Sequence, residues 1–188
     1  MDALDALLNR VSAPRLMAPA PDAAQRELLF RAALRAPDHG QLRPWRFLTV
    51  EGAALAQLGE LFARALPADA SPEALTKARA MPLRAPLLVV VIARVQASPK
   101  VPAQEQVLAA GCAAHGILLA AHAQGIGAVW RTGDMAYNAQ VAAGLGLSAD
   151  EQVIAYLYLG TPERELRAVP QVQVSDFVRA WPAPDSAE

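Results

Sequence analysis

Ala85-Pro-Leu-Leu-Val-Val-Val-Ile-Ala93 is a continuous aliphatic, largely β-branched run. A strand with one wet face alternates apolar and polar side chains. This run does not alternate, so it reads as a strand covered on both faces. It is followed by a long helix from about Pro102 to Gln124. Gly125-Ile126-Gly127 breaks that helix and leads into a strand from Ala128 to Arg131. A short helix near Asn138 to Ala143 precedes a last strand, Val153 to Leu159, which ends at Gly160-Thr161-Pro162.

Before the aliphatic run, Ser71-Pro72 has the form of an N-cap with proline in the first helical turn. Gly52 to Leu66 reads as a helix and Phe47 to Val50 as a short strand. Asp22 to Gln25 is a capping-box pattern, with Leu28, Leu29, Ala32 and Ala33 on one helical face. That helix is expected to stop at Ala36, because Pro37 disfavours helical geometry in the residue before it. Residues 2–9 alternate acids and leucines at helical spacing. With fewer strands than helices, the sheet is expected to lie between helical layers. No repeat or linker interrupts residues 1–188, so one domain is expected.

Hydrophobic residues make up 54% of the 188-residue chain while aromatics supply only 5%, and 42 alanines carry the difference. Charged residues are 19% and the net charge is −1, which excludes a disordered chain and removes charge-driven binding to nucleic acid or to an anionic membrane as the leading reading. Cys112 stands alone, so nothing points to an oxidising compartment. MDALDALLNR lacks the apolar core of a signal peptide. The stretch from Val107 to Trp130 is interrupted by His115, His122 and Gln124 and reads as a buried helix running into a strand, not a membrane span. A cytoplasmic protein is expected. Of 17 basic residues, 15 are Arg. A GC-rich coding bias accounts for this simply; the other account is planar, bidentate capture of phosphate or carboxylate.

Three polar patches stand out. Arg10-Val11-Ser12 follows the first helix, where Arg and Ser can reach one phosphate; taken alone, a solvated helix end is its simpler explanation. Arg35-Ala-Pro-Asp-His-Gly-Gln-Leu-Arg-Pro-Trp45 concentrates charged and turn-forming residues between a helix and a strand, either as a binding loop or as an irregular connection capped by a core Trp. Gly125 to Gly133 carries glycines but fails the dinucleotide fingerprint. Trp130 stands where the third glycine belongs, and a helix precedes the strand instead of following it. Arg131-Thr132-Gly133 remains, at a strand end. His115 and His122 share a helical face without further metal ligands, and no nucleophile motif is present. An enzyme built this way would leave the chemistry to a cofactor.

Together, Asn9-Arg10-Val11-Ser12, Arg35-Ala36-Pro37-Asp38-His39, Pro44-Trp45 with Phe47, Gly111-Cys112-Ala113, Gln124-Gly125-Ile126-Gly127, Trp130-Arg131 and Leu157-Tyr158-Leu159-Gly160-Thr161-Pro162 occur in the order in which the nitroreductase family of flavoenzymes carries them. The chain resembles that family over roughly residues 3 to 162. The resemblance implies an α+β, three-layer α-β-α sandwich around a small mixed, mainly antiparallel sheet. It also implies FMN bound between the protomers of a homodimer, with residues from about 165 to 188 packing on the partner.

On this resemblance Arg10, Val11 and Ser12 would hold the phosphate and ribityl end of the flavin. Arg35 and His39 would reach it from the other protomer, and Trp130, Arg131, Thr132 and Gly133 would close the phosphate side. NAD(P)H would lie near Ala121, His122, Ala123, Gln124, Gly125 and Ile126. The implied reaction passes hydride from NAD(P)H to flavin N5, with no catalytic side chain and no metal, and then to an electron-poor small-molecule acceptor such as a nitroaromatic or quinone. Two departures bear on flavin tuning. Val11 replaces the middle arginine of the usual Arg-Arg-Ser, and Gln41-Leu42-Arg43 replaces Asn-x-Gln before Pro-Trp. A flavin-using relative with other chemistry (dehalogenation, dehydrogenation or flavin breakdown) and a non-catalytic flavin-binding dimer are the alternatives.

Overall fold

The computed structural model of the chain describes residues 1–181, and the aliphatic run lies at its centre as β3 (Leu87–Arg94). From Leu87 to Ala93 no residue exposes more than 1% of its surface. β3 pairs with β2 (Trp45–Glu51) on one side and β5 (Glu151–Pro162) on the other. The far edge of β5 takes β4 (Gly127–Arg131) and, beyond it, the two-residue β1 (Leu16–Met17). The α+β sandwich expected from the sequence forms, and every pairing among the described residues is antiparallel.

Side chains alternate across a strand, so β3 divides its burial between two cores. Leu87, Val89, Val91 and Ala93 face α2 (Ala23–Ala33) and α5 (Ala103–Ala123), with α1 (Ala3–Asn9) beside α5. Leu88, Val90 and Ile92 face the layer made by α3 (Ala53–Arg64), α4 (Pro72–Ala80) and α6 (Ala139–Gly144). Asp22 and Gln25 form the expected capping box on α2, and Ser71 and Asn138 cap α4 and α6. The end of α2 differs from expectation. The helix stops at Ala33, and Arg35 and Ala36 donate to the carbonyls three residues back, a tightened last turn that ends before Pro37.

By length and composition α5 could cross a membrane, but Ala109, Ala110, Ala113, Ala114 and Ile117 are buried in the core. Its small residues permit close approach inside the chain itself. A Cβ on Gly116 would lie 3.0 Å from the Ala32 carbonyl oxygen of α2. Phe177 is 77% and Trp181 93% exposed, so neither docks on its own chain. Residues 182–188 of the expected partner-binding tail lie outside the described residues.

One ion pair crosses the central strand. Arg46 of β2 lies opposite Ile92, which in turn lies opposite Val153 of β5, and the Arg46 side chain reaches over β3 to Glu151. The pairing is bidentate, Nε to Oε1 at 2.6 Å and an Nη to Oε2 at 2.7 Å, and the Glu151 side chain is only 5% exposed. Hydrogen bonding from Arg46, aided by the Ser148 amide, holds the Glu151 carboxyl down at about 2. Its contribution to stability is therefore complete above the ordinary glutamate range and is lost as pH falls from about 4.5 towards 2. Glu151→Gln should cost about 2–3 kcal/mol at pH 7. In denaturant titrations from pH 7 to pH 3, the gap between variant and parent should close as the pH drops.

Candidate functional site

The segment from Arg35 to Trp45 forms a cavity of about 590 Å³ at the β2 edge of the sheet, lined by Arg35, Asp38, Gln41, Arg43 and Trp45 among others. Its backbone is strained. Gln41 has φ +53° and Arg43 φ +49°, left-handed values that side chains other than glycine rarely adopt. Two interactions hold it there. The Asp38 carboxylate accepts from the Leu42 amide at 3.1 Å and the Arg43 amide at 2.7 Å. The Leu42 carbonyl accepts from Gln96 Nε2 at 2.6 Å, and the main chain of Gln96 is bound in turn by the buried Gln106 of α5. His39, just outside the cavity, pairs its Nδ1 with Glu105 of α5 at 2.8 Å. Arg35 and Arg43 have no ion-pair partner among the described residues.

Arg10, Val11 and Ser12 follow α1, half-buried except for exposed Ser12, and the next amide, Ala13, donates to the Ala128 carbonyl of β4 at 2.9 Å. This places the first and third patches side by side at the opposite edge of the sheet. Along β4 the side chains alternate. Trp130 packs towards α5 at Gly111, whereas Arg131 turns to the other face and lays its guanidinium over Tyr158, 6.0 Å from the ring centroid. Thr132 is half-buried, and Gly133, at φ +64°, turns the chain out of the strand in a conformation open to glycine. Ser12, Arg15, Arg164 and Arg167 surround a cavity of about 290 Å³, and a second of about 370 Å³ lies between Arg15, Arg84 and Arg131.

The structure does not bring Arg35 and His39 together with these residues. β2 and β4 are separated by β3 and β5, three strand spacings or about 14 Å. Residues 121–126 lie elsewhere again. Ala121 is buried, and Gln124, Gly125 and Ile126 line a cavity of about 120 Å³ beside Pro19 and Thr161, below the roughly 300 Å³ at which ligand pockets begin. His122 Nε2 is buried there without a hydrogen-bond partner.

The sequence reading missed Asp38 as the loop's anchor, and Arg15, Arg84, Arg164 and Arg167 as cavity residues. An Asp side chain commonly bonds the amide two residues on, whereas Asp38 reaches amides four and five residues on, so the short-range turn pattern does not mark it. The arginines belong to no motif.

A strained, anchored loop at one sheet edge and an arginine-bearing pair of cavities at the other mark a three-layer α-β-α protein whose cavities lie at its margins. The Nitroreductase family model matches residues 8–161, and the chain belongs to that family. It is 40% identical over 177 residues, 94% of this chain and 96% of the relative, to "Putative NAD(P)H nitroreductase YdjA" of Escherichia coli (strain K12). Among solved structures it resembles a nitroreductase-like family protein from Bacillus cereus (TM-score 0.86, 18% identity, 96% of each chain covered). It also resembles a nitroreductase from Desulfovibrio desulfuricans solved in complex with FMN (TM-score 0.75, 23% identity, 96% of this chain and 97% of that one covered).

If Asp38 holds the strained loop, Asp38→Ala leaves the Leu42 and Arg43 amides without their acceptor and should cost about 1–2 kcal/mol. Thermal unfolding reads that loss, and amide exchange should quicken at residues 40–43 before it does in β3.

Proposed function

We propose that the protein is an FMN-dependent NAD(P)H oxidoreductase that passes electrons to an electron-poor acceptor such as a nitroaromatic or quinone, and that it works as a homodimer. The observation that carries the reading is the 40% identity, over nearly the whole chain, to a relative named as an NAD(P)H nitroreductase. The side chains available fit the cofactor. A flavin mononucleotide needs cations for its phosphate and apolar or aromatic walls for its ring, and the two margins supply unpaired arginines with Trp45 in one cavity wall.

When bound, FMN supplies the redox chemistry, accepting hydride from NAD(P)H and returning electrons to the acceptor. The protein positions it and keeps water away. Arg10, Val11, Ser12 and the Trp130 to Gly133 turn hold the phosphate and ribityl end through charge, hydroxyl and main-chain donors. Arg35 and His39 approach from the second copy, because in one copy their loop leads into β2 while Arg131 lies on β4 at the opposite edge of the sheet. NAD(P)H is assigned to the neighbourhood of Ala121 to Ile126. Exposed apolar side chains favour association: Leu4 and Leu8 of α1, Leu108 of α5, and Phe177 and Trp181 of the tail, which packs on the partner. The 188 residues act as one domain, in the cytoplasm, where nicotinamide nucleotides are available.

The purified protein should be yellow, bind one FMN per chain, run as a dimer at low concentration, and bleach anaerobically with NADH or NADPH. A colourless preparation that takes up no added FMN overturns the reading. Removing one charged contact in Arg35→Ala should raise the FMN Kd about tenfold or more.

A further inference from the structure

Arg43 lines the cavity of about 590 Å³ from a left-handed backbone, and both of its main-chain groups are bound. Its amide donates to the Asp38 carboxylate at 2.7 Å, and its carbonyl accepts from the Trp45 amide at 2.8 Å. Leu42, just before it, donates to the other Asp38 oxygen and accepts from Gln96 Nε2 at 2.6 Å. Gln96 is gripped in turn at its own amide and carbonyl by Gln106 of α5, a residue only 2% exposed. A left-handed conformation in a residue other than glycine costs free energy and persists only where the surroundings impose it, a feature that clusters at binding sites. Here the surroundings fix the backbone of Arg43 and leave its side chain without an ion-pair partner among the described residues. The nearby carboxylates are already committed, Asp38 to two amides and Glu105 to His39 at 2.8 Å.

We propose that Arg43 selects the electron acceptor, and that this acceptor is an electron-poor aromatic carrying a carboxylate. The inference rests on the flavin reading above, in which the Arg35-to-Trp45 loop approaches the flavin. An acceptor has to reach the same flavin, and Arg43 is none of the side chains assigned to hold it. A carboxylate presents two oxygens in one plane, which a guanidinium binds with two parallel bonds. Arg35 is taken by the flavin, so one guanidinium is left, and one guanidinium balances a monoanion. Trp45, in the same cavity wall, supplies aromatic surface for the acceptor's ring. Gln96 is a positioning residue, since it acts on the acceptor only through Leu42 and Arg43. Holding the arginine in place beforehand reduces the freedom lost when the anion binds.

The test compares the flavin-loaded full chain with Arg43→Ala, Arg43→Lys, Gln96→Ala and the double variant Arg43→Ala/Gln96→Ala, with melting temperatures confirming that each folds. The acceptors are 4-nitrobenzoate and its neutral methyl ester, and the readout is the ratio of kcat/KM for acid over ester, relative to the parent. Arg43→Ala should lower that ratio about 10- to 100-fold, mainly through KM, and Arg43→Lys about 3- to 10-fold. Gln96→Ala should lower it about 3- to 10-fold alone and not further in the Arg43→Ala background, because it works through Arg43. A general loss of structure would instead move acid and ester together. Calorimetric titration with benzoate needs no turnover and should show the same order of losses. An acid-to-ester ratio and a benzoate affinity that Arg43→Ala leaves unchanged overturn the proposal, as does a loss confined to FMN affinity; a parent that binds flavin leaves the proposed function standing in either case. A parent that binds no flavin overturns that function instead, and the benzoate titrations of parent and Arg43→Ala then decide the cavity alone.

Discussion

Seven consecutive side chains of β3, Leu87 to Ala93, each expose 1% or less, and a strand in that state must be covered on both faces. Water has to be excluded from both rows of aliphatic side chains, each worth about 1.5–3 kcal/mol when fully buried, so helices are needed above and below. The α2–α5 and α3–α4–α6 layers follow from that requirement. So does the position of the site. Aliphatic side chains occupy both faces of the sheet, and the arginine-lined cavities lie along loops at its two edges.

The alanine-rich composition follows from the same constraint. A layer can lie close to a flat aliphatic sheet only if its own side chains are short, and α5 presents Ala109, Ala110, Ala113, Ala114 and Ala121 on its buried side. Gly116 then lets α2 lie against α5 with the Ala32 carbonyl almost in contact. This close packing is made within one chain. Part of the apolar excess that remains lies on α1, at Leu108 and on the tail, which are faces that a second copy can cover.

Much of the fold was legible because its signals are local. Capping residues Asp22 and Ser71 each make the bond that their positions predict, and the aliphatic run, the long helix and the glycine break fall where they were read. What was not legible depends on distant partners. β1 is two residues long and exists only because Thr161 and Pro162 extend β5 beyond β4. Gln41 and Arg43 carry no sign of a left-handed backbone, since neither residue type favours one, and the conformation is set by Asp38 and by Gln96 from another loop. The candidate site was readable mainly as a family order of patches. Which patches adjoin was hidden, because Arg10–Ser12 meets β4 through a single amide at Ala13 while Arg35 stands at the opposite edge.

The arginine bias divides in the same way. One group grips carboxylates: Arg26 holds Glu51 through two bonds of 2.7–2.8 Å, Arg46 holds Glu151 across β3, and Arg79 holds Glu60 between α4 and α3. At Arg26 and Arg46 lysine could supply the charge but not the paired, in-plane donors that fix two elements in register. The second group, Arg35, Arg43, Arg84 and Arg131, faces cavities with no ion-pair partner among the described residues. A coding preference for arginine explains the number of these residues but not their separation into paired clamps and unpaired cavity walls. Burial and geometry make that division, since a guanidinium left unpaired beside a concave surface retains the donors needed to bind an anion from solution.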